Sequence, residues 1–409
     1  MRIAFFTDTF LPQVNGVATS IANFATELGR RGHDVLIVSP APKGKSRNWS
    51  APGVKVVDLL SIPAGVYPGF RMSPFIGIPK VFRAIRAFKP DIIHFHTTLM
   101  VSVDAIAAAM AFGTPLVGTN HLYLTAHHTD YLTFISENPT VRRYLASAIL
   151  MHSLAFYKFC NVCIAPSKLL IKELREDGFR QTINYLPNGV VTTGIKQLSA
   201  SEKQVMKRRY KLRKNVLLHV GRLSNEKRVV DVLAAFAQVR RSIPESSLLI
   251  VGDGPERIKL ERKARALGIA KDMVITGFIA PNTLMQSGLV GVADAFMTAS
   301  PMEAQGMVII EAMAFGLPIV AVAEGAVPEV VGKSGVLVKQ QDTKAMAHAV
   351  IRLFSDAAYH RDMSERSLKR AEAYSIESLT AQLLSLYDKA IKQVRDRSRK
   401  SILGKRMRS

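Results

Sequence analysis

Short apolar runs alternate with helix-spaced amphipathic runs along nearly the whole chain, and the series occurs twice. Arg2 to Phe6, Val35 to Ser39, Lys55 to Leu59, Ile92 to His96 and Leu116 to Thr119 are too short for helices and predict strands. Ala18 to Arg30 and Val103 to Phe112 carry helical spacing between them. Strands that are apolar on both faces and separated by helices belong in a parallel sheet covered on both sides. A second series begins after Pro187-Asn188-Gly189. It holds strands at Val216 to Val220, Ser247 to Val251, Met273 to Thr276, Ala295 to Thr298, Ile319 to Val322 and Gly335 to Val338. Helices at Arg228 to Ile243, Arg257 to Leu267 and Thr343 to Phe354 separate them. The pattern predicts an α/β chain of two tandem doubly wound domains, with a ligand cleft between them at the strand ends. We place the first domain at residues 1–190, the second at 191–375, and a closing helix with a basic tail at 376–409. Residues 192–215, dense in Lys and Arg, read as linker and entry to the second domain.

The chain's 409 residues can fill two cores, but its charge is unusual: 55 Lys plus Arg against 32 Asp plus Glu, a net +23. Residues 1–185 hold 19 basic and 11 acidic residues, 186–391 hold 28 and 20, and 392–409 hold 8 and 1. The excess is therefore general, with a concentrated basic tail. Such a chain is drawn to nucleic acid or to an anionic membrane surface. No recognised nucleic-acid motif occurs, and the aromatics cluster with aliphatics instead of spacing as a stacking platform, so nucleic acid is not an expected partner.

Leu59 to Pro90 contains no acidic residue. Arg71, Lys80, Arg83, Arg86 and Lys89 lie there among Tyr67, Phe70, Phe75, Ile76, Phe82, Ile85 and Phe88. On a helix starting at Pro79, Phe82, Ile85 and Phe88 share one stripe flanked by the basic residues, a composition suited to lying on anionic lipid. An ordinary core-facing helix with a solvated basic face is the alternative. The opening MRIAFFTDTF has no leader pattern and no run spans a bilayer, so the expected place is cytoplasmic, peripheral on the inner face of the plasma membrane. Cys160 and Cys163 fall in FCNVCIAPS, which reads as a strand carrying free thiols to opposite faces.

Candidate chemistry gathers at strand ends. In SPMEAQGMVIIEAMAFGLP, Glu303 and Glu311 flank Gly306, with a loop before it and a helix after it. The free N–H groups of Gly306, Met307 and Val308 would favour a phosphate. Glu303 could then accept sugar hydroxyls and Glu311 a ribose, unless both are merely solvated charges. GRLSNEKR places Arg222 and Lys227 just beyond a strand, where two cations could neutralise a diphosphate leaving group. VGDGPER, with Gly252, and TGFI, with Phe278 and Ile279, are turns whose backbone could read a nucleobase. Gly16, before a helix, allows close approach to a phosphate or simply serves a tight turn. His121 follows a strand end and would face the cleft, with His94, His96, His127 and His128 as competing candidates. No aspartate pair has DxD spacing, so no metal and no cofactor are expected.

Taken in order, PQVNGVATSI, PDIIHFHT, APS, PNGV, GRLSNEK, VGDGP, TGFI and the Glu303 to Glu311 motif resemble the retaining glycosyltransferases of family 4, which have the GT-B fold. The resemblance implies that Arg222 and Lys227 hold the donor diphosphate, Glu311 the ribose and Glu303 the transferred sugar. It also implies that Gly16 meets the phosphate, that His121 sits beside the sugar and that a helix over residues 376–394 crosses back to the first domain. Ala304-Gln305, where Gly-Phe is the common form, looks like the bacterial diacylglycerol glucosyltransferases. That likeness implies metal-independent transfer of glucose from UDP-glucose, with retention, to a lipid acceptor such as diacylglycerol. GDP-mannose with an inositol lipid or other glycan acceptor is the alternative donor and acceptor class, and an epimerase of the same fold the alternative reaction.

Overall fold

The structure, a computed structural model, describes the chain except residues 14, 45–46, 48, 64–70, 75–76, 122–137 and 407–409 and the side chains of 139, 143, 146 and 398–406. Tyr67, Phe70, Phe75, Ile76, His127 and His128 lie outside the described residues. Two compact units form, Met1–Gly189 with Ile376–Ser409, and Val190–Ser375.

The first unit contains β1 (Arg2–Phe6), β2 (Asp34–Pro40), β3 (Val54–Leu59), β4 (Ile62–Pro63), β5 (Arg71–Met72), β6 (Ile92–Phe95), β7 (Leu116–Thr119), β8 (Val162–Ala165) and β9 (Ile183–Tyr185). Among the described residues its main sheet is parallel, in the order β3-β2-β1-β6-β7-β8-β9. Helix Gly16–Arg30 begins where Asn15 Oδ1 accepts the Ala18 N–H at 2.9 Å, and ends where Arg30 and Arg31 both grip Glu27. Its buried Ile21, Phe24, Ala25 and Leu28 meet the sheet at helical spacing. The closing helix, Ile376–Arg406, extends beyond the expected span and buries Leu379, Leu383, Tyr387 and Ala390 in the same core. Gly189 permits its start, because a Cβ there would lie 2.4 Å from Ile376 Cδ1.

The second unit contains β10 (Asn215–Val220), β11 (Ser246–Val251), β12 (Met273–Ile275), β13 (Ala295–Thr298), β14 (Ile319–Val322) and β15 (Gly335–Val338). They form a parallel sheet in the order β12-β11-β10-β13-β14-β15. Hydrophobic clusters cover both faces, one around Phe296, Ile309 and Ile310 and one around Leu217, Phe236 and Met297. Strand ends differ from the sequence expectation by a residue or so: β2 runs one residue further at each end, whereas β6 and β12 stop one residue short.

Three expectations need correction. Residues 200–209 are a helix, Ala200–Arg209, and not linker: Ser199 and Glu202 form a reciprocal capping box that supplies the missing start signal. Cys160 precedes β8, because Asn161 pairs with Leu116 through its N–H and its Oδ1 and delays the strand. Its thiol therefore meets that of Cys163 instead of facing away, and burial pushes it well above the usual thiol range. The helix expected from Pro79 runs Ile78–Phe88, and Ile85 is core, 1% exposed, while Phe82 leans on Phe112 at 5.3 Å. Ile85 thus anchors the helix and is not offered to lipid.

Candidate active site

In the second unit, strand order reverses between β10 and β13, and ligands of open α/β sheets bind beyond the carboxyl ends at such a point. The two loops singled out from sequence leave from those two strands. β10 leads into exposed Arg222 and a short 3₁₀ turn, Asn225–Lys227. β13 leads through Glu303 to Gly306, which caps helix Met307–Ala314. Lys227 Nζ lies 2.6 Å from Glu303 Oε1, with both side chains largely buried. The structure thus joins a cation and a carboxylate 76 positions apart in the chain.

Glu303 is fixed from a third side. The Ala326 N–H donates to its carbonyl at 3.0 Å, and Gly325, at φ 59°, lets that loop approach; a Cβ there would lie 3.0 Å from the same oxygen. Gly306 adopts φ 76°, which an L side chain resists, and so turns the chain sharply into the helix. The first-turn N–H groups of Gly306, Met307 and Val308 have no partner within their helix by geometry, and the dipole adds partial positive charge there. Glu311 lies within the same helix, where burial pushes its carboxyl up to about 7. An anion could rest on this helix start between Lys227 and Arg222.

Gly252 follows β11 and packs on the backbone of Gly221: a Cβ would sit 1.8 Å from the Gly221 carbonyl oxygen. Its N–H donates to Gly277 at 3.0 Å, which brings the TGFI turn alongside, with Phe278 56% exposed and Ile279 half-buried. Sequence reasoning missed His219, buried at 1% in β10. Its Nδ1 lies 3.0 Å from the Met297 carbonyl, its Nε2 has no partner among the described residues, and burial holds it down at about 4. A histidine interrupting the apolar run LLHV was the available signal.

In the first unit, order reverses between β1 and β6. Gly16 opens its helix beyond β1 and is exposed, held by Asn15, whose Nδ2 donates to Thr9 Oγ1 at 2.7 Å. Nearby Asp8, wholly buried, accepts from Thr97 Oγ1 at 2.6 Å and the Val101 N–H at 3.1 Å. His121 follows β7, is half-buried, and contacts His96. Burial pushes His121 down to about 4, so it is a neutral imidazole at physiological pH.

The basic helix keeps Lys80, Arg83, Arg86 and Lys89 exposed, with Phe82 and Phe88 partly covered. Lys80 reaches the Asp58 carbonyl, and Arg71 is tied down by Ser61, with Nε 2.8 Å from Oγ and Nη2 2.6 Å from the carbonyl. Among the described residues no helix is long and apolar enough to cross a membrane, and no three His, Cys, Asp or Glu side chains are placed to hold a metal ion.

A family profile described as "Glycosyltransferase Family 4" matches residues 14–193, and one described as "Glycosyl transferases group 1" matches residues 201–370. A GDP-mannose-dependent alpha-mannosyltransferase of Mycobacterium tuberculosis is 30% identical over 331 residues, 78% of this chain and 79% of its own length. The chain belongs to the family 4 glycosyltransferases. This family 4 glycosyltransferase is also similar to an alpha-monoglucosyldiacylglycerol synthase of Streptococcus pneumoniae, 29% identical over 328 residues, 78% of this chain and 71% of its own length. Its fold is GT-B, two Rossmann-like domains. The crystal structure of Anabaena Alr3699/HepE in complex with UDP and glucose overlays 95% of this glycosyltransferase and 99% of its own chain, with a TM-score of 0.74 at 21% identity.

Proposed function

We propose that this glycosyltransferase moves glucose from UDP-glucose, with retention and without a metal, onto a membrane lipid such as diacylglycerol. The observation carrying the reaction is the pairing of Lys227 with Glu303, three residues before the Gly306 cap of helix Met307–Ala314, at the reversal between β10 and β13, with Arg222 exposed on the same loop as Lys227. Likeness to alpha-monoglucosyldiacylglycerol synthases of Streptococcus pneumoniae and Acholeplasma laidlawii supports the lipid and the sugar.

In this reading the diphosphate lies on the helix start, where N–H groups and the two cations stabilise the charge that grows as the bond from the anomeric carbon to phosphate oxygen breaks. The sugar passes through an oxocarbenium-like state. The acceptor hydroxyl forms the new bond on the face the diphosphate leaves, and its proton passes to a departing phosphate oxygen. Glu303 holds sugar hydroxyls, Glu311 the ribose, and Gly252, Phe278 and Ile279 border the base. In the first unit, the residues we assign to phosphate and to sugar contact are Gly16 and His121. The exposed Lys80, Arg83, Arg86 and Lys89 meet anionic lipid headgroups, which makes the enzyme a peripheral membrane protein on the cytoplasmic side.

The 30% identity to a GDP-mannose-dependent enzyme favours a second reading, mannosyl transfer from GDP-mannose. Calorimetric titration with UDP-glucose and GDP-mannose separates them. UDP-glucose is expected to bind at least tenfold more tightly, a difference of about 1.4 kcal/mol. The reverse preference would establish the mannosyl reading.

A further inference from the structure

His94, His96 and His121 form a ladder inside the first unit. The rings of His94 and His96 lie 4.0 Å apart, those of His96 and His121 stack at 5.5 Å with planes 22° apart, and His96 Nδ1 is 3.3 Å from His121 Nε2. The far end is held on both nitrogens: His94 Nε2 lies 2.7 Å from Thr119 Oγ1 and Nδ1 2.8 Å from the Tyr387 hydroxyl. His96 is 3% exposed, and its Nε2 has no hydrogen-bond partner among the described residues.

A neutral imidazole carries one proton, so the His96–His121 contact has two arrangements. If His121 donates from Nε2, the proton of His96 must sit on its own Nε2, leaving a buried N–H with no acceptor among the described residues. If His96 donates from Nδ1, only a lone pair is left unpaired there. Orphaned N–H groups are the rarer of the two in protein interiors, which favours His96 as donor. His121 then accepts at Nε2 and carries its proton on Nδ1, its one remaining ring nitrogen. We propose that His96 is a positioning residue that sets this tautomer, so that His121 offers its ligand an N–H donor and not a lone pair. The group it meets must be an acceptor, a sugar hydroxyl oxygen or a phosphate oxygen, and His121 does not act as a base there. The catalytic part of this inference rests on the reading that His121 borders the sugar; the tautomer does not.

Long-range proton–nitrogen correlation spectra of the full chain, labelled at histidine nitrogens and recorded near neutral pH, read the tautomer directly. We expect His121 Nδ1 in the protonated range and Nε2 in the lone-pair range; the reverse pattern overturns the proposal. His96→Phe should lose this preference and lower kcat roughly tenfold or more, as misplaced tautomers do in other histidine sites. His96→Asn, whose amide can supply a donor near the position of Nδ1, should restore both the spectrum and most of kcat. Equal spectra and equal kcat for wild type and His96→Phe would also overturn it. Full activity in His121→Ala would remove His121 from the reaction, a failure of the underlying reading that the spectra distinguish from a failure of the tautomer.

Discussion

Lys227 and Glu303 hold each other at 2.6 Å, so truncating either one removes an ion pair from a largely buried setting. Arg222→Ala and Lys227→Ala should each lower turnover roughly a hundredfold or more, the cost of removing one preorganised charge donor. Steady-state kinetics on folded variants check this, and wild-type rates in both would place the chemistry elsewhere. Glu311 gives a second prediction at this scale. Its folded-state carboxyl titrates at about 7 against an ordinary 4.5, so its contribution to stability is fully present below the ordinary value and is lost as pH rises through 7. Glu311→Gln should match wild type in urea unfolding at pH 4 and be the more stable at pH 8, by at most about 3 kcal/mol and less because the side chain is partly exposed. Equal midpoints at pH 8 would contradict it. The strand-end placement of Arg222, Lys227 and Glu303 was legible because turn residues follow short apolar runs there, whereas the pairing of Lys227 with Glu303 was not. Asp8 and Tyr387 were not legible either, since each acts through a partner far away in sequence, and for His219 the only local signal was the histidine that interrupts LLHV.

Elements were read best where burial imposes a period. Every apolar run taken as a strand is one, whereas helix Ala200–Arg209 was missed because it buries no residue fully and is held by its cap, not by an apolar face. The helix Ile78–Phe88 shows the limit of composition. Its basic, aromatic content was visible, but which apolar residues face inward depends on neighbours that only the fold supplies, and Ile85 proved to be an anchor. Asp104 adds a second hold, accepting the Gly77 N–H at 3.0 Å, with burial pushing its carboxyl up to about 6. What remains available to lipid is charge: Arg83→Glu with Arg86→Glu and Lys89→Glu should weaken sedimentation with anionic vesicles at least tenfold. Each basic group near such a surface is worth about 1 kcal/mol. Unchanged binding would rule out this helix as a membrane contact.

At the scale of the whole molecule, the doubled alternation of strand and helix was enough to foresee two parallel sheets, and the order of motifs was enough to foresee the family. Strand order was not foreseeable in detail, since β13 returns to pair with β10 across the sheet. That return brings Glu303 to Lys227. Donor and acceptor are a finer matter than fold, because one scaffold serves many sugars by changes in a few contacts. The most direct test is to incubate the purified chain, without added metal, with radiolabelled UDP-glucose and liposomes containing diacylglycerol and anionic lipid, then identify the lipid product by mass and anomeric configuration. The account predicts an α-glucosylated diacylglycerol whose rate of formation falls roughly a hundredfold or more with Lys227→Ala. No labelled lipid with wild type, or labelling equal in the variant, would contradict it.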